Sequence, residues 1–142
     1  MTISRLAIIY SRAAVGLEAP LVSVEVHISR GMPRLSIVGL PETEVKESKD
    51  RVRSAILNSQ YDFPQRRITI NLAPADLPKE GGRFDLPIAL GILAASDQLS
   101  LAKISAYEFA GELALSGQLR AIKGALPFAI GTRKAQRNLV IP

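Results

Sequence analysis

Residues 68–96 read ITINLAPADLPKEGGRFDLPIALGILAAS, and this stretch holds a strand, a Gly-rich loop and a helix in succession. RITINL at 67–72 reads as the strand, and APADLPKEGG at 73–82, with its Pro and Gly residues, as the loop. Asp85 then opens a helix. Its apolar content, LPIALGILAA at 86–95, wraps more than one face, so it is expected to be the most deeply buried helix of the chain. Pro87 falls in its first turn, where the missing N–H does no harm.

Upstream, LVSVEVHI at 21–28 alternates. Val22, Val24, Val26 and Ile28 share one side, and Ser23, Glu25 and His27 the other, which predicts a half-exposed strand with His27 turned from the core. Arg30-Gly31-Met32-Pro33 marks a turn before another strand at 35–38, and the simplest pairing is an antiparallel hairpin of these two strands. LAIIY at 6–10 reads as a buried strand. After Gly39-Leu40-Pro41, a helix from Pro41 or Thr43 to about Gln60 places Val45, Val52, Ala55, Ile56 and Ser59 on one stripe. Its other faces carry the i,i+4 pairs Glu42/Lys46 and Glu47/Arg51. Downstream, segments 109–115 and 119–122 flank Ser116-Gly117 as a hairpin, a helix runs over 125–136, and 139–141 resembles a buried last strand. Helices between strands give an α+β fold of mixed α/β layers, one domain over 1–142. That closing strand, followed by a single Pro, leads us to expect a piece truncated at its carboxy-terminal end.

Among the 142 residues 47% are hydrophobic and only 5% aromatic, so the core must be aliphatic and offers no obvious stacking platform for bases. A net charge of +5 favours anions, nucleic acid first among them, although evenly spread charge would merely keep the domain soluble. The absence of Cys excludes disulfides, thiolate catalysis and zinc–thiolate sites. One His cannot build a metal site alone. No apolar run is long enough to span a membrane, and a cytoplasmic location with no membrane partner is expected.

The loop PKEGGRF at 78–84 lies before a helix, a place where free amides attract anions. A Walker A loop would need a Lys and a Ser or Thr after its last Gly, whereas Arg83 and Phe84 stand here; the expected role is a structural loop with Asp85 as the helix cap. No Gly-x-Ser-x-Gly elbow is present, so a Ser-Lys pair is the remaining nucleophilic option. Glu42 with Glu44, and Glu108 with Glu112, read as surface charge. Lys46, Lys49, Arg51 and Arg53 could meet a phosphate backbone, but acidic neighbours weaken that case. Lys79 and Arg83 on the loop, with Lys123 after the hairpin, are the better candidates for binding DNA or a partner.

VEVHISRGMPRLSIVGLPETEVKESKDRVRSAILNS from Val24, ITINLAPADLPKEGGRFDLPIALGILAAS from Ile68 and GELALSGQLRAIKGAL from Gly111 together resemble the amino-terminal domain of the ComM/YifB, magnesium chelatase-like family. The resemblance implies a Lon protease-like fold, similar to the second domain of the fifth small-subunit ribosomal protein, with an AAA+ ATPase domain outside this chain. It also implies a hexameric DNA helicase that promotes branch migration of single-stranded DNA in natural transformation. ATP and Mg²⁺ would then serve the full-length protein, with no cofactor and no catalytic residue in these 142 residues. Against Lon peptidases, Arg83 aligns with the nucleophilic Ser and Leu126 with the Lys, so neither a hydroxyl nor a base stands in place. The alternatives are a residual Ser-Lys peptidase with the pair elsewhere, and a magnesium-chelatase-like subunit, for which no porphyrin pocket or ligand set is evident.

Overall fold

A computed structural model describes residues 4–142. Strands β1 (Ser4–Arg12) and β2 (Leu21–Ser29) form a long antiparallel hairpin, in register from Ser4 opposite Ser29 to Arg12 opposite Leu21. Then follow β3 (Arg34–Val38), helix α1 (Glu42–Asn58), β4 (Arg67–Ala73), a 3-10 turn at Gly82–Phe84 and helix α2 (Asp85–Ala95). The chain ends with α3 (Leu101–Ile104), β5 (Tyr107–Phe109), β6 (Glu112–Leu113), β7 (Leu119–Arg120), α4 (Ala125–Lys134) and β8 (Asn138–Val140). Six strands make one mixed sheet in the order β3-β4-β2-β1-β5-β8, while β6 and β7 pair separately.

The α+β layer class stands, but the pairing of β2 with β3 does not. β4 lies between them, antiparallel to β2 and parallel to β3, with α1 as the crossover from β3 to β4. The cause lies in matched apolar sides: Val24 faces Leu72, Val26 faces Ile70 and Ile28 faces Ile68, all fully or nearly fully buried. Each such side chain removed from water contributes about 1.5–3 kcal/mol, so the longer apolar strand wins the central place. The shorter β3 offers Leu35 and Ile37 and takes the edge.

β1 alternates instead of being buried throughout. Ala7 and Ile9 enter the core, while Leu6 and Ile8 are 59% and 36% exposed on the opposite face. The core lies between one face of the sheet and α1 and α2, with Val52, Ala55 and Ile56 from the first and nine buried residues from the second. The expected burial of α2 therefore holds. Its approach to β2 is so close that a Cβ on Gly91 would lie 2.4 Å from Val26 Cγ2.

On the other side, α4 covers the β1–β5 end, where Gly131 and Thr132 reach Arg12 and Glu108. The 125–136 helix thus forms over a slightly shorter span. The last strand pairs with β5 at the sheet edge and is only half-buried, so its expected burial is corrected. The predicted second hairpin survives as β6–β7, closed by hydrogen bonds between Ala114 and Gln118 and from Gly117 to Ala114, but Phe109 belongs to β5 of the main sheet. Helix α3 was not foreseen. Among the described residues, no helix is long and apolar enough to cross a membrane.

Candidate functional site

The Gly-rich loop folds against the start of α1 and the β6–β7 hairpin. Gly81 takes φ +77°, in the range that favours glycine, and its N–H donates to Glu44 Oε1 at 2.9 Å. At Gly82 a Cβ would fall 2.6 Å from the Glu112 side chain, which would have to swing aside to admit it. The Arg83 carbonyl accepts from Gly111 N at 2.9 Å, and the Gly111 carbonyl accepts from Leu86 N at 3.1 Å, satisfying one free amide at the start of α2.

Asp85 is not the cap. It is the first residue of α2, preceded by Phe84 at the cap position with no side-chain cap bond. Its buried carboxylate instead accepts from Ser48 Oγ at 2.7 Å, Arg51 Nε at 2.7 Å and Leu113 N at 3.1 Å, joining α1, α2 and β6. Burial pushes this carboxyl above its ordinary value against the downward pull of Arg51, Ser48 and Leu113. Arg51 is therefore committed to Asp85, with Glu47 a looser partner at 3.7 Å. Arg53 lies over the Phe63 ring at 4.8 Å. Half of the basic set proposed on α1 thus has partners within the fold.

Of the three residues singled out for binding, the structure brings two together. Arg83 is buried and its Nη1 donates to the Lys123 carbonyl at 3.0 Å, while the Lys123 side chain is exposed on the same rim. Lys79 goes elsewhere. The residue is 4% exposed, and its ammonium donates to the Pro74 and Leu77 carbonyls at 2.6 and 2.7 Å, closing the loop on itself. Burial pulls Lys79 below its ordinary pKa, opposed by the Asp76 carboxylate. A mobile loop presenting three cations would require Lys79 to abandon both carbonyls, and its geometry shows it holding them.

Arg83 and Lys123 line a hollow of about 350 Å³ together with Glu44, Glu80, Glu112 and the loop glycines. Three carboxylates therefore stand beside two cations, and Arg120 lies 3.5 Å from Glu112. Arg83 Nε and Nη2 are buried with no hydrogen-bond partner, and so is Glu44 Oε2. Burial lowers the Arg83 pKa, but a guanidinium stays charged near neutrality regardless. Phe128 stands below it, with its ring centre 5.8 Å from the guanidinium carbon.

The reading of Glu108 as surface charge is corrected. It is fully buried and accepts from Arg12 Nε at 2.7 Å and Nη2 at 3.0 Å, from Thr132 Oγ1 at 2.7 Å and from Arg137 Nη1 at 2.9 Å. Burial works to raise its pKa, yet the hydrogen bonds from Arg12, Thr132 and Arg137 outweigh it and hold the carboxyl below its ordinary value. Arg137 also stacks 3.8 Å over the Tyr10 ring. This cluster ties β1, β5 and α4 together. Sequence reasoning missed both it and the part of Glu44 in the hollow, since their partners lie tens of residues away in the chain.

Among the described residues, no serine hydroxyl shares a hydrogen bond with a lysine, and no group of three or more His, Asp or Glu side chains could hold a metal. Leu126, at the position aligned with a peptidase lysine, is 72% exposed on α4.

The family described as subunit ChlI of Mg-chelatase matches residues 24–142. Competence protein ComM of Haemophilus influenzae is 60% identical over 136 residues, which is 96% of this chain and 27% of ComM. YifB of Salmonella typhimurium is 60% identical over the same lengths and shares. An uncharacterized protein of Mycobacterium bovis is 35% identical over 125 residues, 88% of this chain and 25% of its own length. The chain spans about a quarter of the length of the curated relatives it matches.

Proposed function

The chain belongs to the family described as subunit ChlI of Mg-chelatase and is 60% identical to ComM and YifB over most of its length, and from that premise we propose that it is the amino-terminal, non-catalytic module of a ComM-type AAA+ ATPase and DNA helicase. The full-length protein, in this reading, promotes branch migration of single-stranded DNA during natural transformation as a cytoplasmic homohexameric ring. ATP and Mg²⁺ are held by a domain outside these residues. The module helps to assemble the ring and binds DNA or a protein partner through the hollow at the Gly-rich loop, on a Lon-like scaffold.

The observation that carries the reading is 60% identity to a competence protein along 96% of the chain. The local chemistry agrees with it. Nucleophilic catalysis needs a hydroxyl and a base within reach of each other, and at the loop position where a peptidase would hold its serine stands a buried cation, Arg83, bound to a backbone carbonyl. The hollow is walled by Glu44 of α1, by the Gly-rich loop and by Glu112 and residues 121–123 at and beyond the hairpin.

The test compares the full-length protein with a version lacking residues 1–142. Oligomer mass, affinity for single-stranded DNA and ATP-driven migration of a branched duplex are measured on both. The reading expects ring formation or branch migration to fall by at least about tenfold, a change of ~1.4 kcal/mol in the underlying equilibrium. All three quantities unchanged would overturn it.

A further inference from the structure

Two residues that line the hollow at the Gly-rich loop carry unmet hydrogen-bonding atoms sealed from solvent. Arg83 is 7% exposed and keeps two buried donors, Nε and Nη2, without acceptors. Glu44 keeps one buried acceptor, Oε2, without a donor, while its other oxygen is used by the Gly81 amide. Buried donors and acceptors are satisfied in the great majority of cases, and a charged group left without partners is the costlier exception. Both residues line one concavity of about 350 Å³, a size that takes a few heavy groups and not a folded surface.

We propose that this hollow is a docking site for an acidic peptide segment, whose carboxylate is received by Arg83 and whose backbone N–H donates to Glu44, the two side chains turning their sealed atoms toward the peptide as it enters. A guanidinium presents its donors as a planar fork that matches a carboxylate. A peptide supplies acceptor and donor within a single residue, which answers both orphan groups at once. A nucleic-acid backbone answers only the first. It also brings successive negative charges against Glu44, Glu80 and Glu112, with only Arg83 and exposed Lys123 to offset them on the same walls. The cation beneath the carboxylate is held in place from behind, by the Lys123 carbonyl at 3.0 Å and by the Phe128 ring. This inference rests on the reading of the module as a partner-binding domain and names the chemistry of that partner.

The experiment uses the 142-residue chain, isotope-labelled, titrated separately with the capped peptide acetyl-Gly-Glu-Gly-amide, its Gln counterpart, inorganic phosphate and a single-stranded oligonucleotide. Amide signals of Gly81, Gly82 and Lys123 and the Arg83 Nε–H signal are followed. The Glu peptide is expected to shift all four saturably, and the Gln peptide to bind at least about fivefold more weakly, since a neutral acceptor makes the weaker bond to a guanidinium. Arg83→Lys keeps the charge and loses the fork, and should weaken the Glu peptide by a similar factor. If that variant does not fold, Glu44→Gln, at a partly exposed position, gives the same reading through the loss of backbone selectivity. No saturable shift with the Glu peptide, equal affinity for both peptides, or shifts produced by phosphate or the oligonucleotide alone would each overturn the proposal. Because neither ATP, rings nor branched DNA enter the measurement, its failure leaves the assembly test above untouched.

Discussion

Glu108 shows how much one residue can hold together. It carries a full charge at zero exposure, compensated by two arginines and a threonine. Removing one member of such a buried pair costs about 3–5 kcal/mol, because the remaining charge is left uncompensated. Glu108→Gln should therefore lower the unfolding free energy by that order, read from urea denaturation at neutral pH. Since the carboxyl titrates lower in the folded protein than its ordinary value of 4.5, its contribution is complete above that pH and fades as pH falls below it. Asp85, shifted upward, runs the opposite way, so the wild type and Glu108→Gln should be compared across the same pH range; the acid slope is expected to be shallower in the variant. Lys79 gives the second prediction at this scale. Lys79→Met should destabilise by about 1–3 kcal/mol through the loss of its two charge-assisted hydrogen bonds to the Pro74 and Leu77 carbonyls, and leave the DNA affinity proposed for the full-length protein unchanged, as measured by fluorescence anisotropy. Neither partner set was legible in the sequence: a lysine after Pro78 reads as a loop cation, and only the folded loop shows Pro74 and Leu77 turning their carbonyls onto it.

Helices and strands were legible wherever the apolar period was strong, as in β2 and α2, and were misjudged where period alone had to choose a partner. Both β3 and β4 present apolar residues at every second position, so an antiparallel hairpin of β2 with β3 and a β3–α1–β4 crossover satisfy the same pattern. The length and full burial of β4 decided between them. The contact of α2 with β2 belongs to this scale as well. An alanine at Gly91 would gain helix propensity of up to about 1 kcal/mol, but its Cβ would enter the space of Val26 and displace a packed strand. Overpacking of a dense core costs about 1–3 kcal/mol, so Gly91→Ala should be net destabilising, seen as a lower urea midpoint with unchanged slope. A raised midpoint would mean that α2 can move away from the sheet.

For the whole molecule, stability should be graded from centre to edge. β2 and β4 are buried on their core side over nearly every second residue and pair on both flanks, whereas β3 and β8 are short edge strands with half-exposed side chains. Native-state hydrogen exchange should therefore find the slowest amides in β2, β4 and α2 and the fastest strand amides in β3 and β8; protection in β8 equal to that in β2 would contradict this order. The amino-acid sequence by itself determined the α+β class, the extents of most elements, the buried character of α2 and the family, because periodicity, Gly and Pro positions and long matching phrases are local properties of the chain. Tertiary structure alone decided the strand order, the inward turn of Lys79, the cage around Glu108, the meeting of Arg83 with Lys123 and the place of Glu44 in the same hollow. Those depend on which groups, separated by as many as 96 residues between Arg12 and Glu108, arrive at the same place. A charged side chain does not announce in sequence whether it will face water or a partner, since that choice is made by what the fold puts beside it.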